Sequence, residues 1–377
     1  MNLKNGERKM SVIITVAGSG TRFADERPKC LTKFMGLTLI RRTIRQIRKV
    51  DENIDIIVVT GYRAEEIEKE ISKIDDQNIS ISHNQDYKND RNILSVYSGL
   101  EKVKGDALVL EGDCVYNLES LKTFIKEIGK NRNVIFGIGD VDLESRNAII
   151  SKNSDCDLNG FIIGERPETM DTDSWANMSG AVIFSDRDAG RYLNWLEQTG
   201  RNPAETYYFQ PLIEESPEFL CRVIRLGDDC DFSTFNTVEQ LQKVRRKMNL
   251  EDNDIQLIEI NFLKHPEGFG ENRVEWLREK IESEGVWTRP ICIDEEHGIV
   301  MDGQHRMEVA KKIGLTHIPA ILFSHLEVDF WSLRKNHEVT LESIVTKSLS
   351  GNPYPYKTVK YAFPREIPEC RILLEEL

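Results

Sequence analysis

The 377-residue chain has no run approaching the roughly 18 apolar residues that a membrane-spanning helix needs, which argues against a bilayer partner. It also lacks any CxxC pair. Its 7 cysteines (Cys30, Cys114, Cys156, Cys221, Cys230, Cys292 and Cys370) are scattered, which excludes a zinc-ribbon pattern and favours reduced thiols over a disulfide frame. Positive charge is in deficit: 50 Lys and Arg stand against 63 Asp and Glu, for a formal net charge of -13. A protein that coats nucleic acid or an anionic membrane needs the opposite balance, so neither is an expected partner. The polar opening stretch MNLKNGERKM carries no cleavable-leader pattern. Internal repeats and low-complexity tracts are missing as well. A soluble, cytoplasmic, globular protein is the expectation, with two domains the natural prior at this length.

What is present is alternation. Short β-branched runs at 11–17, 54–61, 79–84 and 106–116 are separated by stretches with helical apolar spacing at 37–50, 62–74 and 92–103. Near-continuous apolar strands between amphipathic helices predict an α/β fold with a doubly wound, mostly parallel sheet. The polar stretch at 246–254 breaks this pattern and sets domains of 1–248 and 254–377. Beyond the break, strand patterns at 255–262, 289–294, 298–303 and 317–323 and helix patterns at 273–285 and 305–314 predict a smaller α/β module.

Two loops in the first domain lie where a parallel sheet binds ligands, at the carboxyl ends of its strands. Ala17-Gly18-Ser19-Gly20-Thr21-Arg22-Phe23 follows the first strand, and its backbone N–H groups could cradle phosphates. It is neither a Walker loop, having no Gly-Lys-Ser/Thr, nor a dinucleotide fingerprint, since Phe23 holds the third glycine position. Arg22 and Lys29, of the Pro28-Lys29 pair, would neutralise a triphosphate and steady a departing pyrophosphate. The plainer reading is a strand-ending turn with solvated charges. Asp113, closing Leu110-Glu111-Gly112-Asp113, is placed to bind a magnesium ion, the alternative being a simple turn former.

On these strings, residues 11 to about 245 resemble the sugar-phosphate and phosphocholine nucleotidyltransferases, with a GT-A-like fold. The phosphocholine and aminoalkylphosphonate cytidylyltransferase branch is the nearest in pattern. It is carried by Asn84…Tyr87, Arg91 to Tyr97, Val109 to Asp113, Met178 to Phe184 and the segment Asp231 to Leu241. The resemblance implies CTP as donor, Mg2+ as cofactor and a phosphate or phosphonate monoester as attacking group. It sets Asn92 and Ser95 along the nucleotide cleft. The late metal motif departs from the pattern, with Ser233 at the usual Asp position, so Asp231, or Asp229 before it, becomes the substitute metal ligand. Trp175 reads as a packing residue, with an aromatic wall for a cationic amine as the alternative.

In the second half, Asp302-Gly303-Gln304-His305-Arg306 follows one strand pattern and opens a helix. Gly303 allows a tight turn, and His305, Arg306 and the helix N-terminus favour a phosphate. Asp302 could hold a metal, orient a hydroxyl or simply cap the helix. The string resembles the ParB/sulfiredoxin-like fold over residues 254 to about 365. Gln304 stands where sulfiredoxin chemistry needs cysteine, and neither a basic surface nor a helix-turn-helix supports DNA partitioning. The branch that fits is the free serine kinases. It implies Glu267 as general base and the stretch Tyr354 to Lys360, with Lys357 and Thr358, as part of a nucleotide site. Together the resemblances imply a bifunctional enzyme whose partners are small molecules: CTP, ATP or ADP, and serine or phosphoserine. A homodimer is left open. The alternatives are another phosphate or phosphonate acceptor and a C-terminal domain that only senses nucleotide.

Overall fold

The structure is a computed structural model that describes residues 10–18, 27–130, 134–140, 149–152, 158–163, 174–214, 219–227, 230–248, 250, 255–325 and 327–377. The chain divides into two compact units, one of residues 1–32 and 38–248, the other of 33–37 and 249–377.

The first unit opens with β1 (Met10–Thr15); the two-residue strands β2 (Lys33–Phe34) and β3 (Leu37–Thr38) follow in the chain, residues 33–37 of them grouping with the second unit. It continues through α1 (Leu39–Val50), β4 (Asp55–Thr60), α2 (Ala64–Ile71), β5 (Ile79–His83), α3 (Ile93–Leu100), β6 (Asp106–Glu111), β7 (Cys114–Tyr116) and α4 (Leu118–Glu127). Then come β8 (Val134–Gly139), β9 (Ile149–Lys152), β10 (Leu158–Ile162) and β11 (Trp175–Phe184). The unit closes with α5 (Asp186–Thr199), α6 (Gln210–Glu214), β12 (Cys221–Arg225), β13 (Phe232–Thr234) and α7 (Val238–Lys247).

The large sheet runs β10-β9-β11-β6-β1-β4-β5, with β8 branching from β11 and β12 pairing in turn with β8. Strands β6, β1, β4 and β5 are mutually parallel, with Val12 opposite Ile56 and Leu108. Long β11 runs antiparallel to β6, β8 and β9, so the sheet is mixed on that side. Alternate residues of each strand feed two separate cores, as the two-residue strand period requires. Ile13, Ile57, Val59 and Val109 pack with Ile93, Val96 and Leu100 of α3 and Tyr192 of α5 on one face. Val12, Ile14, Ile56, Val58 and Leu108 pack with Ile40, Ile44 and Ile47 of α1, Ile67 of α2 and Phe124 of α4 on the other. Helices on both faces make the sheet doubly wound, as the apolar strand runs predict.

The second unit contains β14 (Ile255–Glu259), α8 (Glu271–Glu284), β15 (Val286–Trp287), β16 (Ile291–Asp294), β17 (Val300–Asp302), α9 (Gln304–Lys312) and β18 (His317–Phe323). It ends with β19 (Asp329–Ser332), α10 (Leu341–Leu349), β20 (Val359–Ala362) and β21 (Ile372–Leu373). Its main sheet runs β14-β18-β16-β17, parallel only between β16 and β18. Residues 33–37 group with this unit, where the Leu257 N–H donates to Met35 O at 2.8 Å. Nothing in the apolar patterning marks that excursion.

Candidate active sites

In the first unit the chemistry collects where β1 and β6 end. The Gly112 N–H donates to Thr15 O at 2.9 Å, closing the end of β6 onto the end of β1. A Cβ on Gly112 would stand 2.3 Å from Val16 Cγ1, so only glycine lets the Glu111–Asp113 turn pack this closely. Across the sheet, Gly180 takes φ +73 at the register shift of β11, and a Cβ there would meet Cys114 Sγ at 2.6 Å. The two glycines hold Asp113 in a turn bracketed by buried strands.

Lys29 reaches this turn from the short helix that Pro28 precedes. Its Nζ donates to Asp113 Oδ2 at 3.0 Å and to Asn236 Oδ1 at 2.8 Å, and it lies 6.0 Å from the Phe235 ring centroid. The lysine side chain is 9% exposed and the Asp113 side chain 39%, so a largely enclosed cation sits between an acid that solvent reaches and an amide oxygen. Two oxygens from distant parts of the chain converging on one positive charge is the geometry of a cation-binding point. Glu111 stands beside it. Burial, and next the Asp113 charge, push its carboxyl up to about 7, against the pull of Lys29. Cys114 is closer still in sequence, but burial raises its thiol well above the usual range, so it stays protonated. A hard divalent ion such as magnesium prefers carboxylate and amide oxygens, which Asp113 and Asn236 supply and a neutral thiol does not. The donor set fits magnesium.

The structure does not bring Asp231 to this point. Strand β13 pairs antiparallel with β7, Phe232 opposite Tyr116 and Thr234 opposite Cys114, so Asp231 falls at the end of the ladder away from Asp113. There its carboxylate pairs with Lys247 at 2.6 Å, and its backbone N–H donates to Asn117 Oδ1. The oxygen that joins Asp113 at Lys29 comes instead from Asn236, three residues past Ser233, which the antiparallel register carries there. Asp229, like Ser19, Gly20, Thr21, Arg22 and Phe23, lies outside the described residues. Of the glycine-rich loop, Ala17 is buried, with its carbonyl accepting from Tyr62 N–H at 3.0 Å, while Gly18 is exposed with open space around it.

Asn92 and Ser95 flank the start of α3. Asn92 adopts a left-handed φ of 73, and its Oδ1 accepts from the Tyr208 N–H at 3.3 Å. Tyr208 is fully buried, and its phenol feels the Glu111 charge, which links Asn92 to the Asp113 turn through one side chain. Ser95 is buried in a different role, donating to Asp90 Oδ2 at 2.7 Å and accepting from Asn84 Nδ2 at 3.0 Å. Trp175 opens β11 opposite Ser151.

The second unit gathers its three sequence motifs in one place. Glu267 is buried, and its Oε2 accepts from the N–H groups of Thr358 at 2.6 Å and Val359 at 2.8 Å. His305 Nε2 accepts from the Gly270 N–H at 3.2 Å, and its ring meets Tyr356 edge-on at 5.5 Å. Burial, reinforced by the nearby Arg273 charge, holds the His305 imidazole below its usual range. Lys357 sits at φ 60, a left-handed backbone that costs a non-glycine residue energy and is found where surroundings enforce it. Gly303 precedes α9 at φ +102, with Ile291 Cγ2 only 2.5 Å from where a Cβ would lie. Arg306 is spoken for: it binds Asp302 Oδ2 at 2.7 Å and the carbonyls of Arg289 and Pro290. Its neighbour His305 faces the Gly270–Tyr356 side.

Residues 12–144 match the family model of the MobA-like NTP transferase domain. Among curated proteins, the bifunctional protein GlmU of Streptococcus pyogenes serotype M12 is 28% identical over 123 residues, 32% of this chain and 29% of that protein. GlmU of Streptococcus mutans is 24% identical over 210 residues, 52% of this chain and 42% of that protein. The chain thus spans less than half the length of these relatives. Among solved structures, the CTP:phosphocholine cytidylyltransferase LicC of Streptococcus pneumoniae aligns with a TM-score of 0.52 at 17% identity, covering 63% of this chain and 99% of that one. The inositol-1-phosphate CTP transferase of T. maritima aligns with a TM-score of 0.51 at 15% identity, covering 64% and 95%. At such identities the likeness is one of fold. The N-terminal part of the chain is thus similar over residues 12–144 to the MobA-like NTP transferase domain and shares its fold with these two solved transferases.

Proposed function

We propose that the first unit transfers a cytidylyl group from CTP to a phosphate monoester, releasing pyrophosphate. The observation that carries this reading is Lys29 Nζ held between Asp113 Oδ2 and Asn236 Oδ1, with the Asp113 turn closed onto the carboxyl ends of parallel β1 and β6. An acceptor phosphate oxygen attacks the α-phosphorus, the bond to the bridging oxygen breaks, and pyrophosphate leaves with its electron pair. The acceptor oxygen is already anionic, so no general base is needed. Asp113 and Asn236 would hold magnesium, which when bound supplies charge neutralisation on the triphosphate. Lys29, freed from both oxygens, turns to the phosphates, and the loop amides and Arg22 bind the leaving group.

In the same proposal the second unit phosphorylates free L-serine. Glu267 accepts the hydroxyl proton through the carboxylate oxygen not held by Thr358 and Val359, as the serine oxygen bonds to the terminal phosphorus, the bond from that phosphorus to its bridging oxygen breaks, and ADP (from ATP) or AMP (from ADP) leaves with the electron pair. His305, Lys357 and the start of α9 bind phosphate. The phosphoserine formed is a phosphate monoester, the class of acceptor that the first unit consumes. The full-length protein given serine, ATP, CTP and magnesium should yield phosphoserine and a CDP-linked product. Phosphoserine without pyrophosphate refutes the coupling and directs the search to sugar phosphates, phosphocholine and aminophosphonates. Pyrophosphate release with some other monoester keeps the transferase and changes its acceptor.

A second reading rests on the way Glu267 is held. A buried carboxylate receiving two backbone N–H groups is also a structural clamp, and the unit would then be a nucleotide sensor. Glu267→Gln separates the two. A kinase loses turnover and keeps nucleotide binding, whereas a sensor has no serine-dependent turnover to lose.

A further inference from the structure

Away from the Glu267 cleft, the second unit buries an acid between two imidazoles that neither proposed reaction uses. Asp294 ends β16, and its side chain is 1% exposed. Its Oδ2 accepts from the His297 backbone N–H at 2.6 Å and stands 3.0 Å from His297 Nδ1. Its Oδ1 lies 3.3 Å from His325 Nε2. That nitrogen is not aligned to hydrogen-bond the carboxylate, and neither ring nitrogen of His325 has a hydrogen-bond partner among the described residues, although the side chain is only 7% exposed. One ligating atom from each of the three residues lies within 4.8 Å of the other two.

A buried imidazole with both nitrogens unsatisfied loses its hydration and gains nothing in return, unless a ligand completes it. The spacing names that ligand. Around a tetrahedral zinc with bonds of about 2.0–2.1 Å, neighbouring donor atoms are about 3.3 Å apart, close to the 3.0 and 3.3 Å at which the two Asp294 oxygens meet the imidazoles. Two imidazoles with one carboxylate suit zinc rather than magnesium, which takes oxygen donors and keeps its water. The donors also rest on fixed backbone. The Asp294 N–H donates to Ile299 O at 2.8 Å, Gly298 N–H to Asp294 O at 3.1 Å, and Glu295 N–H to Phe323 O at 3.1 Å. The last bond ties the turn carrying Asp294 and His297 to the end of β18, two residues before His325.

We propose that Asp294, His297 and His325 form a zinc site that staples the turn after β16 to the segment after β18. His297 is 26% exposed, which leaves the ion an entry path and a fourth position for water. The site is separate in residues and in metal from the magnesium point at Asp113, and it stands whether or not the second unit is a kinase.

The test uses the full-length protein, stripped with a chelator and titrated with zinc alone against a chromophoric chelator. One equivalent should bind tightly and raise the melting temperature. His325→Ala and His297→Ala should each weaken that binding by roughly a hundredfold or more, and Asp113→Ala should leave it unchanged. Failure of the wild type to bind zinc, or equal affinity in His325→Ala, overturns the proposal. Should the alanine variants not fold, cobalt bound to the wild type decides. Intense visible bands of a four-coordinate ion without thiolate charge transfer support the site, and the weak bands of a six-coordinate ion, or thiolate charge transfer, refute it.

Discussion

Asp113 and Glu267, the acids at the centre of the two candidate sites, are held by different kinds of donor. Asp113 is met by the ammonium of Lys29, at the end of a long side chain that can swing away when a metal and a triphosphate arrive. Glu267 is met by two backbone N–H groups that cannot leave without unmaking the turn before β20. One site is a set of exchangeable charges on rigid strand ends. The other is a fixed carboxylate under a strained loop, with Lys357 in left-handed backbone beside it. On the proposed functions, metal exchange would organise the transferase reaction and loop geometry the kinase reaction.

Substitutions that break each site by itself give the largest effects. Asp113→Ala should cut CTP-dependent pyrophosphate release by on the order of a thousandfold and leave serine phosphorylation intact, measured in separate assays. Glu267→Gln should do the reverse, lowering serine phosphorylation by about 10²-fold or more while pyrophosphate release continues. A milder change sharpens the ligand assignment. Asn236→Ala should raise the magnesium concentration needed for half-maximal rate by about 10- to 100-fold, and Asn236→Asp should restore most of it. If Asp231→Ala proves as damaging as Asn236→Ala, the register argument for Asn236 is wrong.

The framework behind Asp113 is testable through stability. Gly180→Ala places a Cβ against Cys114 Sγ at a left-handed φ, and should cost about 1–3 kcal/mol in denaturant unfolding. The smallest effect is one of pH and belongs to the second unit. Burial holds His265 below its usual range, with its hydrogen bond to Glu308 opposing. The unfolded chain, titrating near 6.5, binds a proton there that the fold refuses, so stability rises with pH through this range and is lost as pH falls below about 6.5. Melting should drop by a few degrees on acidification, and His265→Gln should flatten that slope.

The apolar strands were plain in the sequence because burial on both faces leaves runs such as Val12 to Ile14 and Ile56 to Val59 with no polar interruption. The helices between them announced themselves by spacing. Lys29 and Asp113 were legible as charges beside a glycine loop, and the structure pairs them. Asn236 was not, since an asparagine after a short strand looks like any turn residue. Only the antiparallel register of β13 on β7 carries it to Lys29 while leaving Asp231 behind. The excursion of residues 33–37 into the second unit was equally hidden, because it depends on a long-range contact between Met35 and Leu257. The His325 site was silent for the same reason: its ligands come from two loops joined only through β16 and β18.

The most direct test is mass spectrometry of the products formed by the full-length protein from CTP, magnesium and a panel of phosphate monoesters that includes phosphoserine. A CMP-linked product, appearing with equimolar pyrophosphate and vanishing in Asp113→Ala, is the predicted result. No nucleotidylated product from any nucleoside triphosphate, or undiminished product in that variant, would contradict it.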